Sequence, residues 1–109
     1  MPRRSRKPYP PATVPLFSPP RGAFQPFTDP IGVEDFLFKP RRVVVDRGTT
    51  VTWDFNDDID HDVAVANGPY AFSSDWIKNG QYSFKFRKRG TYGLFCTLHP
   101  TMSQQVKVD

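Results

Sequence analysis

The chain has a single cysteine, two histidines and two methionines among 109 residues. One cysteine excludes an intramolecular disulfide, so Cys96 is either a buried free thiol or a ligand. No run of about eighteen or more apolar residues occurs, which excludes a membrane-spanning helix. The opening "MPRRSRKPYPP" lacks the apolar stretch of a secretory signal, so no signal peptide is expected in these residues. Alanine and leucine are scarce, with five and four copies, which counts against a helical fold. The length gives room for one packed core and no separate catalytic lobe.

A strong charge of one sign is also missing from most of the chain. The net +4 would suggest a nucleic-acid partner, but Arg3, Arg4, Arg6 and Lys7 account for it, and residues 8–109 hold eleven positive and eleven negative side chains. No nucleic-acid partner is expected of that neutral part. The basic tail reads as a solvated segment or a contact for an acidic partner or an anionic lipid surface. Nine of the twelve prolines lie in residues 1–30, where they remove backbone donors and fix φ too often for a helix or a central strand. Residues 1–30 therefore read as an extension or linker, able to tether the chain to a membrane or a larger protein. Residues 31–109 read as the folded domain.

What is abundant points to strands. Aromatic residues make up 15% of the chain and there are ten valines, both favoured on pleated surfaces. "VEDFLF" leads into Pro40, and "RRVVVDRG" and "TTVTWDF" flank a turn at Arg47-Gly48. Val51, Trp53 and Phe55 alternate with Thr50, Thr52 and Asp54, so one face is expected to be buried. "HDVAVANG" follows the polar "NDDID", which puts His61 at the start of a strand, and the irregular "PYAFSSDWIKN" has room for a short helical turn. Tyr82, Phe84 and Phe86, then Tyr92, Leu94 and Cys96, then Val106 and Val108 mark three more strands. This spacing predicts an all-β sandwich, and its neutral surface predicts a monomer.

The scarce ligands are concentrated. "GTYGLFCTLHPTM" sets Cys96, His99 and Met102 at three-residue intervals just after a strand-like run, and His61 stands 35 residues before Cys96. Each has a bland reading: a buried small hydrophobe, a hydrogen-bonded ring, a core filler. Together they account for both histidines and the sole cysteine. A thiolate and a thioether suit Cu(I), imidazole suits both copper oxidation states, and a His₂Cys plane with a weak axial Met is the donor set of a blue-copper electron-transfer site. Zinc wants four strong ligands, and thioether is a poor one. Nucleophilic catalysis by Cys96 is disfavoured because Leu94, Phe95 and Leu98 offer no open electropositive cleft. No enzyme activity is expected. Two rivals stay open: a copper-carrying or copper-sensing module, and a metal-free sandwich used for assembly.

The segments "FLFKP", "VVVDRGTTVTW", "HDV", "GTY" and "CTLHPTM" fall in an order that resembles the cupredoxins, the type 1 blue-copper family, and within it the amicyanin and plastocyanin branch. The short Cys-x₂-His-x₂-Met loop is most like the amicyanin form. The resemblance spans residues 36–109. It implies a Greek-key β-sandwich of about eight strands, one copper ion on His61, Cys96, His99 and Met102, and single-electron transfer between redox proteins outside the cytoplasm, in a periplasm or at a cell surface.

Two positions depart from the family pattern. Asp62 stands where the family commonly has Asn, and its negative charge near the metal favours Cu(II). Leu98 stands where the family usually has Pro, which gives this chain a backbone N–H able to point at the Cys96 sulfur and to favour Cu(I). Leu98→Pro is therefore expected to lower the reduction potential, measured by voltammetry of the copper-loaded protein; an unchanged or raised potential would reject the hydrogen bond.

Overall fold

In the computed structural model, which describes residues 17–109, the alternating apolar residues form nine strands among the described residues, against about eight expected. They are β1 (Gln25–Pro26), β2 (Ile31–Glu34), β3 (Leu37–Lys39), β4 (Arg42–Val45), β5 (Thr50–His61), β6 (Ala64–Asn67), β7 (Ile77–Lys85), β8 (Gly90–Cys96) and β9 (His99–Val108). One sheet has the order β1-β4-β9-β8-β6 and the other β3-β2-β5-β7. Both are mixed, because β4 runs parallel to β9 and β2 parallel to β5 while the remaining long pairs are antiparallel. Chain neighbours β4 and β5 thus lie in different sheets.

The expected alternation on β5 holds. Val51, Trp53 and Phe55 are buried, and they meet Tyr92, Leu94, Cys96, Val106 and Val108 in one hydrophobic core. Trp53 is at its centre, with ring centroids 5.9 Å from Phe72, 6.0 Å from Tyr82 and 6.2 Å from Phe86. Its indole N–H would be an orphan in such surroundings, but it donates to Gln104 Oε1 at 2.9 Å, and Gln104 Nε2 donates to Pro40 O at 2.7 Å. Strand β8, flanked by β9 and β6, buries every residue from Tyr92 to Cys96, so its two-residue period disappears.

Three expectations are corrected. "VEDFLF" is not one strand: Asp35 and Phe36 both have positive φ, 55° and 58°, and reverse the chain between β2 and β3. His61 does not start a strand. It ends the twelve-residue β5: Asn56 pairs with Asn79 on β7, the backbone is irregular through 57–60, and His61 then pairs with Ile77. The segment 68–76 holds no helical turn; Ser73 bridges Ala64, and Phe72 turns into the core.

The basic residues Arg3, Arg4, Arg6 and Lys7 and the apolar Val14 and Leu16 lie outside the described residues. Residues 17–30 run along the sandwich: β1 pairs in parallel with β4, and Arg42 donates to Gly22 O at 2.7 Å while its guanidinium lies 4.2 Å from the centre of the Phe24 ring.

The buried Trp53–Gln104–Pro40 chain of hydrogen bonds gives a stability prediction. Gln104→Leu keeps the volume but strands the indole N–H and a backbone carbonyl, so unfolding of the apoprotein in urea is expected to become easier by about 1–3 kcal/mol.

Candidate metal centre

The β8–β9 hairpin brings the first two donors together. Cys96 pairs directly with His99 across the Thr97-Leu98 turn, and residues opposed in an antiparallel pair project to the same side. That is the physical reason for the Cys-x₂-His spacing. The next register pair is Phe95 with Ser103, which leaves Pro100, Thr101 and Met102 without counterparts on β8. Such a bulge re-aims side chains, and Met102 is buried in the same cluster as Cys96. Met102 also lines, with Phe36, a cleft beneath residues 18–21.

The third donor arrives from the other sheet. Ligand-capable atoms of His61, Cys96 and His99 all lie within 4.8 Å of one another. His61 Nδ1 is 3.9 Å from Cys96 Sγ, and the two imidazole centroids are 5.2 Å apart. His61 and Cys96 are fully buried, whereas His99 is half-buried.

Three contacts hold the cluster. His61 Nε2 lies 2.8 Å from Asp57 Oδ2; the carboxylate accepts the Nε2 proton, which leaves the Nδ1 lone pair directed toward Cys96. That hydrogen bond, helped by the backbone N–H of Asp58, lowers the Asp57 carboxyl below its usual range. Asp62 Oδ1 accepts from the Thr97 backbone N–H and Asp62 Oδ2 from the Thr97 hydroxyl, both at 2.6 Å. Trp76 Nε1 donates to the same Thr97 hydroxyl at 3.2 Å. Thr97 thus bonds across the loops, with Asp62 as its acceptor.

Burial, joined by the neighbouring Asp62 charge, pushes the Cys96 thiol up to about 11, against the backbone N–H groups of Asp62, Leu98 and His99 that point at the sulfur. The Leu98 N–H expected from the missing proline is among them. A thiol this reluctant to ionise is inert as a nucleophile; it becomes a thiolate when a cation replaces its proton. The donor set fits one soft ion. Two ligands of a trigonal ion, at roughly 2.0 Å for nitrogen and roughly 2.3 Å for sulfur, stand roughly 3.7 Å apart, close to the 3.9 Å observed.

Within the polar "NDDID", nothing in the sequence singles out Asp57. A regular strand separates residues four apart by about 13 Å, and it is the irregularity between Asn56 and His61 that folds the carboxylate onto the ring. Phe36, whose ring centroid lies 4.9 Å from that of His99 and 5.6 Å from that of His61, carries no sequence signal at all.

Comparison with known proteins agrees with this geometry. Residues 29–109 match the family described as copper binding proteins, plastocyanin/azurin family. Amicyanin of Paracoccus versutus is 31% identical over 83 residues, 72% of this chain and 63% of that protein, so the chain spans under two thirds of that relative. Plastocyanin of Scenedesmus fuscus is 33% identical over 73 residues, 58% of this chain and 74% of the relative. The crystal structure of the Paracoccus versutus amicyanin superposes with a TM-score of 0.66 at 31% identity, covering 73% of this chain and 79% of that one. A reduced amicyanin variant gives 0.67 at 29% identity and covers 89% and 97%.

Removing the carboxylate that orients His61 is expected to loosen the site without unfolding it. Asp57→Ala should weaken metal affinity by roughly 10–100-fold, the usual cost of losing such a partner, in a competition titration against a chelator.

Proposed function

The chain belongs to the plastocyanin/azurin family of copper-binding proteins, and from that premise we propose that it is a mononuclear type 1 copper protein carrying single electrons between redox proteins, a carrier rather than an enzyme. The observation that supports this most is the convergence of one buried thiol and two imidazoles within 4.8 Å. We assign His61, Cys96 and His99 as the residues that would hold the ion closely and Met102, buried in the same core cluster as Cys96, as the one that would add a weak thioether donor.

Bound copper supplies a one-electron Cu(II)/Cu(I) couple. The protein's part is to keep the ligands still while the charge changes. Cys96 and His99 are held by a hairpin pair, His61 by Asp57, and the turn between β8 and β9 by Asp62 and Trp76. Donors fixed from two sheets have little freedom to rearrange, which keeps the barrier to electron transfer low. The backbone N–H groups aimed at sulfur favour the reduced state, and the Asp62 charge favours the oxidised one.

His99 is the half-exposed ligand, and Leu98 beside it is 44% exposed. An apolar surface of this kind suits redox encounters, which bury little area and separate quickly. Of the two charged segments able to steer a partner, "NDDID" leads straight to His61. "KFRKRG" begins beside Thr50, at the opposite end of β5. The acidic segment is therefore the one we assign to steering. We place the carrier outside the cytoplasm, as a monomeric domain of residues 31–109 with residues 1–30 as its extension or tether.

Colour and voltammetry test the reading. The copper-loaded protein is expected to show strong visible absorption from a Cu(II)–thiolate bond, lost in Cys96→Ser, and a reversible one-electron wave. Absence of the band in the unsubstituted protein would reject the type 1 site. A band without reversible voltammetry would favour a delivery or sensing module.

A further inference from the structure

The β2–β3 turn breaks a local rule next to the site. Glu34 pairs with Leu37, so Asp35 and Phe36 are the two central residues of a tight hairpin, with φ of 55° and 58°. Such turns favour Asn or Asp first and Gly second, because the left-handed backbone crowds a Cβ. Asp35 obeys this preference. Phe36 does not: a large aromatic residue stands where glycine is the natural choice, and it is 52% exposed besides. Neither turn propensity nor core burial explains it.

The ring contacts do. Phe36 lies edge-on to both imidazoles, at interplanar angles of 82° to His61 and 79° to His99. Edge-to-face geometry at these centroid distances is the attractive arrangement for aromatic rings. The turn is also tied to the orienting carboxylate, since the Asp35 backbone N–H donates at 3.2 Å to Asp57 Oδ2, the same oxygen that holds His61 Nε2. Lys39 braces it from outside through a 3.0 Å ion pair with Asp35.

We propose that Phe36 is a positioning residue, held on an unfavourable turn so that one ring restrains the His61 and His99 imidazoles together. His61 already has Asp57, while His99 is half-buried and no side-chain hydrogen bond to its ring is found among the described residues. Beside the edge contact with His61 itself, Phe36 is thus the ring that limits rotation of the exposed His99. Strain kept at a functional position is expected where the surrounding structure enforces it. The inference rests on the copper reading, because it is a ligand pair that needs restraint.

The test compares the unsubstituted chain with Phe36→Tyr, Phe36→Leu and Phe36→Gly. In the apoproteins, proton NMR should show ring-current shifts on both imidazoles that persist in the Tyr variant and vanish in the other two. Phe36→Gly, freed of the Cβ clash, should melt no lower than the unsubstituted protein. In the copper-loaded proteins the electron self-exchange rate, in which one copy is oxidised as another is reduced, should fall by roughly tenfold in the Leu and Gly variants, the factor that corresponds to losing one aromatic contact. The Cu(II) EPR spectrum should change with it, and Tyr should preserve both. Unchanged EPR and exchange in Leu and Gly would overturn the proposal while leaving the copper reading intact. A missing Cu(II)–thiolate band in the unsubstituted chain would defeat the copper reading and the proposal with it.

Discussion

The arrangement depends on a buried carboxylate that spans the two sheets. Asp62 immediately follows the end of β5, and its side chain accepts both the backbone N–H and the hydroxyl of Thr97, the residue after Cys96. These bonds join the end of one sheet to the hairpin turn of the other across 35 residues of sequence. Charge-assisted bonds of this length are strong, and a buried carboxylate without them would be costly. With them, His61 and Cys96 are held face to face.

Around this bond the site is built in layers of decreasing burial. Cys96 and His61 are in the dry core, where a thiol resists ionisation and three backbone N–H groups are turned toward its sulfur. Asp57 and Trp76 hold the next layer from outside. His99, Leu98 and Phe36 form the surface. This gradient suits the proposed electron transfer: an ion held by Cys96 and His61 would be shielded from water, while His99 would stay near enough to the surface for a brief contact. The acidic end of β5 lies at this pole, and the basic hairpin after β7 lies at the other, so the neutral sum of charges conceals a polarity set by the length of β5.

Much of the site was legible because its donors are rare. With one cysteine and two histidines in the chain, their convergence needed little further information, and the turn between Cys96 and His99 follows from antiparallel pairing. The core faces of β5, β8 and β9 were legible as alternation. What the sequence hid were places where the backbone departs from regular strand geometry. The irregularity in β5 brings Asp57 to His61, the left-handed pair at Asp35 and Phe36 splits an apparent strand, and the irregular segment before β7 sends Phe72 inward. No periodicity records such departures, since each moves one residue out of the register that periodicity assumes.

By itself, then, the sequence determined the chemistry: soft donors in short supply and strand-forming residues around them leave few options for the ion and for the fold class. The tertiary structure alone decided how the donors are held. Asp62 bonded to Thr97, Asp57 to His61, and Phe36 set against both imidazoles are contacts between segments distant in sequence or displaced by an irregular backbone. Their existence depends on sheet packing and register, which no local pattern of residues encodes.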